Sequence, residues 1–516
     1  MSMFAVVIVG VLVAVLLWDV FQTKHAILRN FPLIGHFRYW LELIGPELRQ
    51  YIVAANDEER PFNRDERSWV YSSSKQQNNY FGFGTDNDLE RSPNTLVIKH
   101  SAFPLQELRP GVPGYDGDYH IPCAKVLGEA RSRKHAFRPT SIVNVSAMSF
   151  GSLSAAAVES INRGCSLAGC LHNTGEGGVS AHHLHGADLI WQIGTGYFGC
   201  RKPSGQFDLD RLVDTVSRNP IRAIEIKLSQ GAKPGIGGML PAAKITPEIA
   251  EIRGIPMGQD CISPSRHTAF SDVDSMLDFV ELLAEQTGLP IGIKSAVGDM
   301  EFWQQLATQM ASTGRGVDYV VVDGGEGGTG AAPLVFTDHV ALPFKLAFVR
   351  VYEQFLRRGI QNEVVFVGSG KLGFPEAGLL GMAIGCDMLN VAREPMLAIG
   401  CIQAQKCHTG RCPTGVATQD PWLMRGLDPA DKSARMANYL KALRKEMLAV
   451  SRACGVAHPA MMQPKHFEII DERFGCRSIT EVFGIATQPT NWGLPPEDQL
   501  RTVAALMGQA PGAALS

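Results

Sequence analysis

Neither sign of charge prevails along this chain. Its 48 lysines and arginines meet 51 aspartates and glutamates, a formal net charge of −3, so nothing in the composition favours nucleic acid or another polyanionic partner. Paired C-x-x-C knuckles are missing, so the cysteines are not spaced as in a zinc ribbon. No G-x-G-x-x-G follows the first β-rich run and opens a helix, which leaves a Rossmann dinucleotide domain unsupported. The apolar stretch near the N-terminus has no Lys or Arg ahead of it and no small-x-small cleavage site behind it, as a signal peptide would. The 53 glycines follow no repeat. They cluster instead at the ends of apolar runs, where tight functional loops would need them.

What is present falls into four stretches. "MFAVVIVGVLVAVLLW" (3–18) is uninterrupted apolar sequence; as a helix it would span about 24 Å at roughly 1.5 Å per residue. The next cations, Lys24, Arg29 and Arg38, follow it. The positive-inside tendency then predicts a single-pass anchor in the inner or cell membrane over 1–22, with the main body cytoplasmic. A buried or oligomer-forming helix is the alternative. Residues 23–138 read as a juxtamembrane segment and an irregular arm; "FPLIGHFRYWLELIGPELRQYI" (31–52) mixes aromatic and basic residues as an interfacial segment does.

Residues 139–430 repeat one unit, a short β-rich run, a glycine-rich loop and an amphipathic helix. The runs are "SIVNVSAMS" (141–149), "CLHNTGEGG" (170–178), "LIWQIGTG" (189–196), "AIEIKLSQGAKPG" (223–235), "PIGIKSAVG" (290–298), "YVVVDGGEGGTG" (319–330), "VVFVGSGKLG" (364–373) and "MLNVARE" (388–394). Near-continuous apolar strands alternating with helices argue for parallel strands buried on both faces. Eight units predict an α/β fold of the (β/α)8 TIM-barrel type rather than an open sheet. The longest intrusion follows the fourth run and reaches about residue 272. Residues 431–516 read as a C-terminal helical extension, "SARMANYLKALRKEMLAVSRACG" (433–455) being one long helix, and "GQAPGAALS" as a frayed tail.

In such a barrel the residues just after each strand converge on one mouth that holds the active site. Here they supply Ser149, Asn173, Glu176, Lys227, Gln230, Lys233, Lys294, Asp323, Glu326, Ser369 and Arg393, more ionisable groups than a structural protein needs. Gly368-Ser369-Gly370-Lys371 and Arg393 fit a phosphate cradle, because glycines let backbone N–H groups approach an anion and a guanidinium can pair with it. Lys227 and Lys294 sit at strand ends of the same mouth, to stabilise negative charge there or to pair with a neighbouring carboxylate.

Most of the eleven cysteines stand singly in apolar context, as buried free thiols of a reducing compartment would. "GCIQAQKCHTGRCPTGVATQ" (400–419) instead gathers Cys401, Cys407 and Cys412 directly after the eighth run. Zinc would need a fourth ligand, and His408 adjoins Cys407 too closely to join it on one tetrahedral ion. Thiolates also favour iron–sulfur clusters. Three would serve a three-iron cluster, or a four-iron cluster with a distant fourth ligand such as Cys454. A disulfide with a spare thiol is the remaining reading.

The segments "SAMSFGSLS" (146–154), "HNTGEGG" (172–178), "IKLSQGAKPGIGG" (226–238), "ISPSRH" (262–267), "DGGEGGTGAAP" (323–333) and the cysteine stretch, in that order over about residues 140–420, resemble the FMN-binding synthase domain of glutamate synthases. The resemblance implies a barrel carrying FMN beside a 3Fe-4S cluster held by Cys401, Cys407 and Cys412. It implies that Met148, Ser149, Asn173, Lys294, Gly368, Ser369, Gly370 and Arg393 line FMN. Glu176, Lys233 and Arg253 would face a small keto-acid substrate. The implied reaction reduces 2-iminoglutarate, formed from 2-oxoglutarate and ammonia, to L-glutamate. Electrons would pass from ferredoxin or a separate reductase through the cluster to FMN. The family's glutaminase segment has no counterpart here, so ammonia is expected free or from a separate supplying subunit. Met239 stands where the family has a substrate-binding Gln, and Glu326 where it has an Asp. Met239 keeps open an FMN oxidoreductase acting on another keto or imino acid, for example one making an N-alkylglutamate. The anchor keeps open a redox subunit of a membrane complex.

Overall fold

Each of the eight β-rich runs carries a strand. They are β1 (Val143–Val145), β2 (His172–Asn173), β3 (Leu189–Ile193), β4 (Ile221–Lys227), β5 (Ile291–Ala296), β6 (Tyr319–Asp323), β7 (Val365–Ser369) and β8 (Met388–Val391). In this computed structural model, which describes residues 3–22, 24–89, 92–471, 475–485 and 492–508, neighbours in that order pair in parallel and β8 pairs with β1. The sheet is therefore a closed barrel, and the TIM-barrel expectation is borne out. Of the tail expected at 508–516, all but Gly508 lies outside the described residues.

The chain divides into two compact units, Met1–Arg67 and Ser68–Ser516. The first contains the apolar helix Met3–Phe21, a short helix Ala26–Asn30 and the helix Gly35–Leu48. The second is the barrel with its surrounding segments. Helices Val273–Thr287 and Glu301–Thr313 flank β5 in the chain. Asp272 accepts from the Ser275 amide and starts the first of these, and Gly288, at φ 72°, ends it. The long C-terminal helix runs Pro429–Ala453 from an Asp428 cap and packs along Ala155–Ala168, the helix after β1.

The arm has work at the foot of the barrel. The Lys125 ammonium sits 2.9 Å from Asp387, just before β8, and also donates to the carbonyls of Gln361 and Val364. Arg133 pairs with Asp318, just before β6, at 3.0 Å and with Glu281 at 2.6 Å. Both pairs are largely buried, and their remaining donors and acceptors are used, the condition under which a buried ion pair is tolerated. Strand Leu96–Ile98 pairs antiparallel with Phe467–Ile470, so the arm and the C-terminal extension share one small sheet. These contacts at the N-terminal ends of the strands serve stability, and the opposite end is left to chemistry.

Candidate functional site

Strand alternation turns Asn173, Gln192, Glu225, Lys294, Asp323 and Ser369 into the barrel interior, so its upper layer is polar. Above it opens a cavity whose wall includes Gln192, Lys227, Lys294, Asp323, Ser369 and Arg393. Of the residues expected to line FMN, Lys294, Ser369, Gly370 and Arg393 are in that wall. The other four, Met148, Ser149, Asn173 and Gly368, are not part of that wall. A Cβ on Gly175 would lie 2.5 Å from the Ser149 nitrogen, so the Met148–Ser149 backbone buttresses the loop after β2. Asn173 spends both ends of its amide inside the barrel, donating to Glu225 at 3.0 Å and accepting from the Gly175 amide at 3.0 Å. A Cβ on Gly368 would meet the Phe344 ring and the Cys386 sulfur, which places that glycine in packing rather than in the cavity.

The interior charges are paired but not saturated. Lys294 Nζ lies 3.6 Å from Asp323, which also accepts from Ser369 Oγ at 2.7 Å and from the Gly231 amide at 2.9 Å. Glu225 is fully buried and accepts from Asn173 and from Gln192 at 2.6 Å on one oxygen; the other oxygen has no partner among the described residues. Burial pushes its carboxyl up, against the pull of Lys294 and the two amides.

A second group forms on the insertion side. Glu176 makes an ion pair with Lys227 at 3.0 Å, and a Cβ on Gly194 or Gly238 would fall 2.6 Å from one of its carboxylate oxygens. Only glycines leave room for this carboxylate. Burial would raise Glu176, but Lys227, Lys233 and Arg253 around it outweigh burial and hold it below its ordinary value. Burial instead lowers Lys233, with Lys227 adding to that and Glu176 opposing. Arg253 is buried against the Phe198 ring, its Nη2 donating to the Phe150 carbonyl at 3.0 Å and its Nε without a partner among the described residues. The three residues expected to face a keto-acid are thus brought together, and Lys227 joins them.

Lys227 is itself positioned. Its ammonium donates to Gln230 at 2.7 Å, and its carbonyl accepts from His267 Nε2 at 2.9 Å. The Tyr197 hydroxyl accepts from the amides of Thr268 and Ala269, which leaves its proton for His267 Nδ1 at 3.1 Å. Burial depresses His267 to about 4, so it stays neutral and its tautomer is fixed by these bonds.

Met239 lies on a two-stranded hairpin, Met239–Leu240 against Cys261–Ile262, within the insertion after β4. Gly238 abuts Glu176 and Leu240 is buried, while Met239 between them is 47% exposed, beside Ile262 at 71%. Glu326, the other departure, accepts from the Phe344 amide at 2.8 Å and so caps helix Phe344–Leu356. That carboxylate serves the fold. Glu326→Ala should lower the unfolding free energy by about 1 kcal/mol, the usual worth of a lost cap, and leave any flavin content unchanged. Thermal melts beside absorbance spectra check this, and loss of flavin at an unaltered melting temperature would refute it.

All eleven cysteines are free thiols. Cys401, Cys407 and Cys412 follow β8 closely enough to feel one another: burial pushes Cys401 up to about 12, with the other two thiols adding to it. Cys412 goes the other way, because amides of Ala417, Thr414 and Val416 and the Thr414 hydroxyl outweigh burial. The three sulfurs do not converge within 4.8 Å among the described residues, whereas ligands about 2.3 Å from one zinc ion would lie closer than that. The loop is pinned through its carbonyls, Cys401 by the Tyr71 hydroxyl at 2.8 Å and Cys407 by the buried Lys244 ammonium at 2.8 Å. Lys432, near the start of the long helix, approaches Gly400. Cys454 follows the far end of the same helix, 25 residues or roughly 37 Å along, too far to serve as a fourth ligand.

Sequence reasoning alone did not single out Gln192, Glu225, Lys244 or His267. For Glu225 a signal existed, a carboxylate inside the apolar run "AIEIK". For the others only tertiary contacts reveal the role.

Comparison with known proteins follows the same lines. The conserved region of glutamate synthases matches residues 124–457. The chain is similar to a glutamate synthase large subunit-like protein, YerD, of Bacillus subtilis, at 36% identity over 90% of this chain and 94% of that protein. It is similar to the archaeal-type glutamate synthase (NADPH) of Thermotoga neapolitana at 35% identity and to the archaeal glutamate synthase (NADPH) of Methanocaldococcus jannaschii at 34%, each over 61% of this chain. The matches span 59% of the length of those two proteins.

Proposed function

The chain belongs to the glutamate synthase family, and from that premise we propose that it is an FMN and iron–sulfur oxidoreductase reducing 2-iminoglutarate, formed from 2-oxoglutarate and ammonia, to L-glutamate. The observation that carries the substrate class is the charge around Glu176. One carboxylate faces Lys227, Lys233 and Arg253, which leaves a surplus of two positive charges in a buried place. A dicarboxylate keto-acid cancels that surplus, and a monocarboxylate does not. Arg253 offers its unpartnered Nε to a substrate carboxylate.

Glu176, held ionised, stabilises positive charge on nitrogen and so favours the iminium over the neutral imine. The lining of the cavity suits FMN, with Ser369, Gly370 and Arg393 toward its phosphate and Lys294 toward its ring. Bound there, FMN would exchange electrons singly with a cluster and supply the hydride. Cys401, Cys407 and Cys412 would hold a 3Fe-4S cluster, fed by ferredoxin or a separate reductase. Helix Met3–Phe21 would anchor the protein in the membrane with the barrel cytoplasmic.

Met239, apolar and exposed where an amide is expected, favours a second reading in which an alkylamine replaces ammonia. Purified protein should be yellow-brown and, given 2-oxoglutarate and reduced ferredoxin, should convert ammonium to L-glutamate. Faster formation of N-methylglutamate from methylamine would select the second reading. A colourless, iron-free protein making neither product would sink both.

A further inference from the structure

In the first unit, the apolar helix does not end loosely. Asp19 is fully buried; it accepts from the Leu33 amide at 2.9 Å, and His36 Nε2 lies 2.9 and 3.0 Å from its two oxygens. This tie brings the start of helix Gly35–Leu48 to the end of Met3–Phe21. Along the second helix Tyr39 packs edge-on against the His25 ring, on the side that His36 turns to Asp19. Ile34, Phe37, Leu41 and Leu48 repeat at helical spacing on one face. All four are exposed, as is Trp40 beside Phe37. Arg38, paired with Glu42 at 2.8 Å, flanks that face. Apart from Leu28 against Gly35, the helix therefore makes its contacts through polar groups and leaves its large apolar side chains open, with Leu43 exposed on the His36 side as well, the reverse of a helix folded for water.

We propose that Gly35–Leu48 lies in the headgroup layer of a phospholipid bilayer, with Ile34, Phe37, Trp40, Leu41 and Leu48 in the acyl chains, held at that depth by the Asp19–His36 tie. The inference rests on reading Met3–Phe21 as a membrane span. Its 19 residues give about 28 Å of helix, close to the hydrocarbon thickness of a bilayer. Asp19, in the last turn, then lies where acyl chains meet headgroups, and whatever is tied to it shares that depth. Continuity with the span is what selects lipid over a protein partner or a second copy. Lys24, Arg29, Arg38 and Arg49, all exposed, suit anionic headgroups.

The test is tryptophan quenching of the full-length protein in phosphatidylcholine–phosphatidylglycerol vesicles, with acyl chains brominated either near the carbonyls or near their ends. The difference between wild type and Trp40→Phe isolates Trp40, and Trp18→Phe isolates the span. Bromines near the carbonyls should remove about half or more of the Trp40 signal, the shallow depth of an interfacial helix, and those near the chain ends much less. A Trp40 signal reached only by aqueous iodide overturns the proposal, because the face is then in water. A Trp40 signal reached by nothing overturns it in favour of a protein or second copy. Stronger quenching by deep bromines also overturns it. If Trp18 too escapes both lipids, the span itself is refuted; if Trp18 is quenched and Trp40 is not, only the interfacial helix falls.

Discussion

Replacing Cys407 by serine should strip iron from the protein and stop turnover with a one-electron donor, while the flavin absorbance and the fold remain. The fold is expected to survive because the loop is held by backbone carbonyls. Lys244 binds those of Cys407 and Ala417, and Tyr71 binds that of Cys401. None of these bonds involves the sulfur. The cluster has no such redundancy: with three candidate thiols and Cys454 at the far end of a long helix, no spare ligand stands by. Loss of donor-linked turnover on the order of a thousandfold or more, about 4 kcal/mol in barrier height, is the expected size. Iron analysis and the visible spectrum measure it without reference to activity. Retained iron with full turnover would remove Cys407 from the ligand set. Stoichiometric zinc in the wild type would replace the cluster reading altogether, against the spread of the three sulfurs.

The barrel was legible because its strands are short, apolar and punctuated by glycine, and that local pattern survives folding unchanged. Reading the strand ends found Glu176, Lys227, Lys294, Asp323 and Ser369, because topology alone carries those positions to the mouth. What each side chain does there depends on partners far away in sequence. Asn173 looked like a wall residue until Glu225, fifty-two positions on, claimed its amide. Glu326 looked like a changed active-site acid; the Phe344 amide makes it a helix cap. Lys244 sits in "PAAKIT", a stretch with nothing to mark it, and only the fold brings it under the cysteine loop. The arm gave no periodicity because its strand pairs with residues about 370 positions later, and its cations serve aspartates at the foot of the barrel.

Glu176→Gln should lower kcat by about 100-fold to 10,000-fold, the range for losing a positioned charge at the reacting atoms, without weakening 2-oxoglutarate binding. Lys227→Met should do the opposite, raising the dissociation constant on the order of tenfold or more, about 1.4 kcal/mol, because it removes half of the positive surplus. The opposite directions matter. If Glu176 merely neutralised its three cations, its loss would leave them with no carboxylate at all, and a dianionic substrate would bind more tightly with no change in kcat. If it acts on nitrogen, kcat must fall whatever happens to binding. Acid should imitate the glutamine variant. The folded carboxyl titrates below its ordinary value of 4.5, so its pairing with Lys227 contributes stability that is complete above that value and is lost as pH falls through the lower folded one. Between pH 6 and 8, a window well above both values, Glu176 contributes no slope to turnover or stability; His267, depressed to about 4 in the fold from an ordinary 6.5, contributes none to turnover but makes stability rise with pH until the unfolded imidazole has lost its proton, at about pH 7.5. A pH–rate profile with an acid limb near 6 that disappears in Glu176→Gln would show instead that the carboxyl titrates high and donates a proton. The surplus of positive charge would then be three rather than two, and a dicarboxylate would no longer cancel it.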